Sequence, residues 1–308
     1  YGDRFSRFDS LYLGGGTPSL LSERDLAELL LHIRRHFLFT GDTEFTMEVN
    51  PDDVTPDQAA VLRDLGVNRI SLGVQSFEDR DLRFLKRRHT AAQAAEAIEE
   101  FRGAGFEKLG LDLMYGLPGQ TESSWMKTLE QAVSFTPEHI SCYQLTIHEN
   151  TPFGGLQAKG EIKPLTEEAE TSFFMLTSAF LKEKGYIHYE ISNFARGEKN
   201  LCRHNLKYWK RTPYLGLGPS AHSYQDGVRW WNDRELESYG RATEQGIAPV
   251  AGYETLTQEQ VYLETILLGF RTRDGLDGEI FRGREGTEEV LRHLRRARVI
   301  EVSKGKIV

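Results

Sequence analysis

Carboxylate and amide side chains follow short apolar runs at several points in the first 120 residues. Glu48 and Asp112 each lie at the end of such a run, and Gln75 follows another. A carboxylate in this position can accept hydrogen bonds from an ammonium group or from paired ribose hydroxyls, and an amide can both donate and accept. Taken singly, the same side chains are also typical of helix caps, salt bridges and loop hydrogen bonds.

Two further segments could contact a ligand. Gly14, Gly15 and Gly16 precede Thr17 directly after an apolar run, and glycines lacking a Cβ allow the backbone to approach a ligand closely. A tight turn is the alternative for this segment. Arg87 belongs to a basic run and could pair with a ligand carboxylate through two parallel hydrogen bonds. Solvated charge is its alternative.

The elements that must position these residues follow one pattern, in which an apolar run, a polar turn and an amphipathic helix alternate. Five strands are predicted at Ser10–Leu13, Glu44–Val49, Arg69–Gly73, Lys108–Met114 and His139–Leu145. Helix start signals lie at Ser22, Thr55, Thr90 and Thr121. This alternation predicts right-handed crossovers and a parallel sheet. Because polar residues follow four successive strands, we expect an α/β fold, a partial (β/α) TIM-like barrel, rather than an open sheet.

The pattern changes near residue 150. We predict a barrel core over residues 1–150, a segment over 151–235 that completes the barrel and faces a ligand, and a smaller C-terminal helical or winged-helix-like domain over 236–308. Helices are predicted at Glu167–Lys184, Gln258–Phe270 and Glu288–Arg296, and a short strand at Val299–Val302.

Composition narrows the classes of function. The 308 residues are 39% hydrophobic and 27% charged, which is typical of a globular protein. The net charge of −8 gives no basic field for nucleic acid, and no apolar run is long enough to span a membrane. The two cysteines, Cys142 and Cys202, provide neither a disulfide framework nor a four-ligand metal site. We therefore expect a cytoplasmic protein whose residues include no metal ligands.

A third group of residues lies in the second half of the chain. His204 precedes Tyr208 and Trp209 in the string His-Asn-Leu-Lys-Tyr-Trp. A histidine can ligate haem iron, and the two aromatic faces could cover a porphyrin. A histidine packed among aromatic side chains is the alternative, and for His222 a structural role and a ligand contact are both open.

The order of the motifs resembles radical SAM proteins related to oxygen-independent coproporphyrinogen oxidase. The series is Gly-Gly-Gly-Thr-Pro, Glu-Val-Asn-Pro, Ser-Leu-Gly-Val-Gln-Ser-Phe, Leu-Lys-Arg-Arg-His and Leu-Asp-Leu-Met-Tyr-Gly-Leu-Pro-Gly-Gln-Thr. The resemblance implies a barrel of the radical SAM type that binds S-adenosylmethionine (SAM). It assigns the SAM methionine moiety to Gly15, Gly16, Thr17 and Glu48, the SAM carboxylate to Arg87, and the ribose to Gln75 and Asp112.

The same family uses a Cys-x3-Cys-x2-Cys motif upstream of the glycine turn to bind a [4Fe–4S] cluster. This sequence starts after that point, so we expect the cluster ligands to be absent from it. The His204–Trp209 string is similar to that of HemW-type haem chaperones. This resemblance implies a protein that binds haem as cargo, in contact with His204, Tyr208 and Trp209, and delivers it to haem-dependent respiratory enzymes.

The alternative is an oxygen-independent coproporphyrinogen III oxidase, which decarboxylates porphyrinogen propionates to vinyl groups by radical chemistry. Whether the chain is an enzyme is therefore open at this point. Its catalytic residues are unknown and a homodimer is an open alternative.

Overall fold

The computed structural model describes residues 5, 7–284, 286–303 and 305–308. The chain forms two compact units, Tyr1–Leu201 and Cys202–Val308. The three-part organisation with boundaries after residues 150 and 235 stays a prediction. Residues 1–4 of the predicted barrel core lie outside the described ranges.

The first unit is built on one seven-stranded sheet that curls into a half-barrel, which confirms the predicted fold class. Its strands are β1 (Arg7–Leu13), β2 (Leu38–Val49), β3 (Arg69–Gln75), β4 (Leu109–Tyr115), β5 (His139–Gln144), β6 (Ile187–Glu190) and β7 (Asn193–Ala195). Their order is β1-β2-β3-β4-β5-β7-β6. The first five strands are parallel neighbours, so their carboxyl ends share one edge. The hairpin of β6 and β7 then adds two antiparallel strands.

Helices alternate with the parallel strands as predicted. In this unit they are α1 (Glu23–His36), α2 (Pro56–Asp64), α3 (Asp79–Phe84), α4 (Ala91–Gly103), α5 (Glu122–Ser134), α6 (Pro152–Ala158) and α7 (Glu167–Glu183), with 3-10 turns at Pro18–Leu20, Pro51–Asp53 and Glu198–Asn200. The predicted caps are present. The side chains of Ser22, Thr55, Thr90 and Thr121 each accept a backbone hydrogen bond from the first helical turn.

Side-chain alternation divides each strand between two environments. On β2, Phe45, Met47 and Val49 face the helices and join the hydrophobic core. The residues that alternate with them, Glu44, Thr46 and Glu48, point to the opposite face, because successive side chains of a strand alternate. The sheet therefore has an apolar helix-covered face and a polar inner face.

Three details differ from the sequence prediction. Strand β2 begins at Leu38, six residues earlier than predicted, because Leu38 and Phe39 pair with β1 before a register shift. Helices α3 and α6 were not predicted, because six or seven residues carry little periodic signal. The helical spacing of apolar residues after Ser22 predicts burial of Leu29 together with Leu26 and Leu30, but Leu29 is 40% exposed and only the other two are buried.

The second unit combines helices with two antiparallel sheets. It contains α8 (Arg203–Trp209), β8 (His222–Gln225), β9 (Val228–Asn232), α9 (Leu236–Glu244), β10 (Val250–Thr255), α10 (Gln258–Gly269), β11 (Leu276–Asp277), a 3-10 turn at Gly278–Phe281, α11 (Thr287–Arg296), β12 (Val302–Ser303) and β13 (Lys306–Ile307). The sheet orders are β10-β9-β8 and β11-β13-β12. The predicted strand Val299–Val302 was misplaced and overlaps β12 only at Val302, because Ile300 is buried in the core of this unit instead.

A search of the described residues finds no helix long and apolar enough to cross a membrane.

One buried hydrogen bond ties α5 to α7. Trp125 is fully buried, and its Nε1–H donates to Thr177 Oγ1 at 2.8 Å. The Thr177 hydroxyl in turn donates to the Phe173 carbonyl oxygen at 2.7 Å. An indole N–H left without an acceptor in the core costs the free energy of its desolvation.

We expect Thr177→Val to lower the free energy of unfolding by about 1–3 kcal/mol, because it removes the acceptor of the Trp125 N–H. Thr171→Val is the matched control. Thr171 makes the same type of hydrogen bond, to the Glu167 carbonyl oxygen, but on the exposed side of α7. Urea denaturation of both variants measures the difference, and equal losses would contradict a specific role for the indole contact.

Candidate functional site

The polar inner face leads to the edge at which the parallel strands end. Register pairs Glu48 with Ser71, and Asp112 with Ser141. The Ser71 hydroxyl donates to Asp112 Oδ2 at 2.8 Å, which connects β3 and β4 across this face. The predicted carboxylates therefore belong to one continuous polar row.

The glycine turn after β1 lies directly against Glu48. The Gly15 N–H donates to Glu48 Oε2 at 3.1 Å, and the Tyr12 hydroxyl donates to Oε1 at 2.7 Å. A Cβ added at Gly14 would lie 2.8 Å from Glu48 Oε1, so only glycine fits there. At Gly15 and Gly16, which have φ of +76° and +69°, an added Cβ would meet open space. The exposed backbone of this turn therefore borders space that a ligand can occupy.

Asp112 is the most perturbed carboxyl group of the row. Burial raises its pKa from the usual 3.8 to about 6, and the charge of Glu48 adds to the rise. Ser141, Ser71 and Arg69 oppose the rise, although only the Ser71 contact is a hydrogen bond of good geometry. Among the described residues, Asp112 Oδ1 has no hydrogen-bond partner. An unsatisfied buried oxygen of this kind is available to a ligand donor.

Arg87 and Gln75 extend the row on the side of β3. Burial lowers the pKa of Arg87, and the nearby charges of Asp52 and Asp112 oppose this effect, so its guanidinium lies within electrostatic range of the site. Gln75 is buried and has a φ of +63°, which is rare outside glycine and typical of functional sites. Its amide folds back over Gly73, where an added Cβ would lie 3.3 Å from Gln75 Nε2.

Contacts and charges thus bring Gly15, Glu48, Asp112 and Arg87 together. Gln75 is the last residue of β3, and Thr17 continues the glycine turn into a 3-10 turn through its carbonyl oxygen. The functional roles of these side chains stay predictions.

Sequence reasoning missed several side chains of the same face. Tyr12 and Ser71 hold the two carboxylates, and the buried ion pair of Arg69 and Glu44, 3.8 Å apart, lies one step further along the strands. Each of these side chains lies two residues from another polar side chain of the same strand. Polar residues at every second position of β1, β2 and β3 were therefore the sequence signal that could have identified them.

A cavity of about 160 Å³ also opens where β4 and β5 end.

The residues predicted to contact haem belong to the second unit. His204 and Tyr208 are one helical turn apart on α8, with ring centroids 5.1 Å apart and the Tyr208 oxygen 3.2 Å from His204 Nε2. Tyr208 is 43% exposed and packs against Tyr214 at 4.7 Å. Burial raises the pKa of Tyr208 to about 12, so its hydroxyl keeps its proton at neutral pH. Trp209 follows on α8 and is half-buried. His222 stacks on Trp231 in β9.

The donor set can be tested against the two groups that the predicted family uses. The open glycine backbone and the unsatisfied Asp112 oxygen fit an amino-acid-bearing nucleoside such as SAM. A three-thiolate cluster does not fit, because the chain has two cysteines, Cys142 and Cys202. Burial and the charge of Asp112 raise the pKa of the Cys142 thiol well above its usual value. Within the described residues, no three His, Cys, Asp or Glu side chains form a metal-binding group.

We expect Asp112→Asn to stabilise the chain at neutral pH, because it removes a buried ionised carboxylate. The folded-state pKa near 6 exceeds the unfolded value of 3.8, so Asp112 lowers the free energy of unfolding as pH rises from about 4 to about 6. The full effect is roughly 3 kcal/mol. Thermal unfolding should show that the stability of the variant relative to the parent protein is higher at pH 7.5 than at pH 4.5. A pH-independent difference would contradict this assignment.

Comparison with known proteins identifies the family. The Radical SAM superfamily model matches residues 3–132. The haem chaperone HemW of Mycobacterium tuberculosis H37Rv is 37% identical over 269 residues, which cover 87% of this chain and 68% of the relative. The haem chaperone HemW of Bacillus subtilis is 36% identical over 279 residues, covering 90% and 73%.

A solved structure supports the fold. Coproporphyrinogen III oxidase (HemN) from Escherichia coli, a radical SAM enzyme, superimposes with a TM-score of 0.80 at 24% identity, covering 98% of this chain and 74% of that one. At this identity the likeness concerns the fold alone. The sequence relatives are closer, and on their evidence this chain belongs to the HemW family of radical SAM proteins.

Proposed function

We propose that this protein is a haem chaperone, which binds haem through the second unit and SAM through the half-barrel. The observation that carries the proposal is the pairing of His204 with Tyr208 on one turn of α8, in a chain whose curated relatives are haem chaperones. A histidine provides the nitrogen ligand that haem iron prefers, and neighbouring aromatic rings provide area for the porphyrin face.

Basic side chains of the same helix suit the propionate groups of haem. Arg203 and Lys207 lie on α8, and Lys210 follows its end. The Lys210 ammonium is 3.6 Å from Asp274 but is more than half exposed, so a propionate could displace this weak surface pair. We assign Trp209 to the porphyrin contact as well.

In the half-barrel, we assign the SAM ammonium group to Glu48 and the backbone of Gly15, Gly16 and Thr17. Arg87 would pair with the SAM carboxylate, and Asp112 and Gln75 would accept from the ribose hydroxyls. SAM, when bound beside a reduced cluster, supplies radical chemistry. This chain would orient SAM, because the open glycine turn, the carboxylates and Arg87 lie in one row and complement the charges of the ligand.

The wider setting is part of the same proposal. The [4Fe–4S] cluster of the family would require cysteines beyond the two in this sequence. We propose that haem-dependent respiratory enzymes receive the haem and that the protein acts in the cytoplasm. A homodimer stays an open prediction.

Haem titration followed by the Soret band tests the cargo assignment. We expect His204→Ala to weaken haem binding about tenfold or more and to shift the band, because the iron loses its protein ligand. His222→Ala is the matched control, a histidine beside an aromatic ring of the same unit. Loss of haem binding in His222→Ala alone would assign the iron ligand to His222 on β8 instead. Formation of vinyl products from coproporphyrinogen III by the reconstituted protein would contradict the chaperone assignment.

Equilibrium dialysis tests the SAM assignment separately. We expect Glu48→Gln to weaken SAM binding about tenfold, because a neutral amide replaces the acceptor of the ammonium group. Glu99→Gln, an exposed change on α4, controls for net charge. Equal SAM affinity for the two variants would remove Glu48 from the site.

A further inference from the structure

The β6–β7 hairpin adds a second pair of polar side chains to the polar row, level with Ser141 in β5 and Asp112 in β4. Strand β7 runs antiparallel to β5, so its first residue, Asn193, pairs with Ser141. Glu190 ends β6 and pairs with Asn193 across the turn. The Cys142 N–H donates to the Ser192 carbonyl oxygen at 2.8 Å, which fixes the turn against the middle of β5.

Both side chains are buried and incompletely satisfied. Glu190 and Asn193 are 3% and 4% exposed. Glu190 Oε2 accepts from the Ser192 N–H at 3.4 Å. Burial raises the pKa of Glu190, and the Asn193 side chain and the backbone of the turn oppose this rise. Even so, neither Glu190 Oε1 nor Asn193 Oδ1 has a hydrogen bond of good geometry among the residues that the structure describes. Folded proteins pair nearly all such atoms, so two unsatisfied acceptors on one hairpin indicate a missing donor.

The local charges determine the kind of donor. Burial raises the pKa of the Tyr143 hydroxyl, and the charges of Asp112 and Glu190 add to the rise, so both carboxylates lie within electrostatic range of this one group. An anionic group, such as a haem propionate, would be repelled by both. Ligand N–H groups would instead satisfy the acceptors and gain from the nearby negative charge.

We propose that Glu190 and Asn193 form a ligand subsite, here called the hairpin subsite, that accepts hydrogen bonds from N–H groups of an uncharged or cationic ring system. The chemistry allows two sources, the adenine amino group of SAM and the pyrrole N–H groups of a porphyrinogen. The identity of these two ligands rests on the proposed function. Haem lacks pyrrole N–H groups, because iron occupies the ring nitrogens, so the subsite does not select haem.

Equilibrium dialysis of three probes tests the proposal, with SAM, coproporphyrinogen III under anaerobic conditions, and haem measured separately. Glu190→Gln preserves the size of the side chain and can keep one oxygen toward the Ser192 N–H, which turns an amide N–H toward the ligand. We expect this variant to bind one of the two N–H ligands about tenfold more weakly and haem unchanged. Weaker SAM binding identifies the adenine group as the source, and weaker porphyrinogen binding identifies the pyrroles.

Three controls make the result specific. Glu130→Gln, on the exposed side of α5, should change none of the three affinities. Asn193→Asp keeps the acceptor oxygen and should retain binding, whereas Asn193→Leu should weaken the same ligand as Glu190→Gln. Unchanged affinities for SAM and porphyrinogen in a Glu190→Gln protein with the parent melting temperature would overturn the proposal. So would an equal loss of haem binding. Failure of the parent protein to bind haem would instead count against the chaperone function, and the SAM measurement would still test the subsite.

Discussion

The structure depends on keeping charged and polar side chains satisfied on the inner face of a sheet whose other face is mainly apolar. The ion pair of Glu44 and Arg69 is the deepest example, and Arg69 also donates to the Asn200 carbonyl oxygen at 3.1 Å. A buried ion pair adds little net stability, but loss of one partner is costly. The pair therefore holds the start of β3 and the end of the first unit in one arrangement, from which the polar row extends toward the carboxyl edge.

Toward that edge, the polar side chains differ in how far the protein satisfies them, and among the described residues the buried Thr46 hydroxyl has no hydrogen-bond partner. His139, at the start of β5, is paired with the Tyr189 hydroxyl at 2.8 Å, and burial keeps its pKa well below the usual value, so the ring is neutral. Glu48 has two donors from β1 and its turn. Asp112 has one satisfied and one unsatisfied oxygen. Binding capacity is thus concentrated toward the carboxyl edge of the sheet, where the open glycine turn and the unsatisfied Asp112 oxygen lie.

Much of this arrangement could be predicted from local sequence. Apolar runs and capping residues located the five parallel strands and their helices, since Thr55, Thr90 and Thr121 are unambiguous start signals. The convergence of Glu48 and Asp112 was also predictable, because parallel strands bring equivalent positions together. The predicted place of Asp112 at the end of its strand was wrong, since it lies in the middle of β4. The partners that hold them were not, because the contact of Tyr12 with Glu48 spans 36 residues and depends on register. The positive φ of Gln75 has no local signal either, since the surrounding sheet imposes it.

The β6–β7 hairpin has a consequence for how such a half-barrel can diversify. Loops after the parallel strands must continue into helices that pack on the core, so their length and direction are constrained. The hairpin turn consists of Ile191 and Ser192, and Ile191 is 45% exposed. Substitutions in these few residues can alter which chemical groups lie near the polar row without disturbing any crossover helix. Selectivity and architecture are therefore encoded in separable stretches of the chain, which allows one to evolve while the other is conserved.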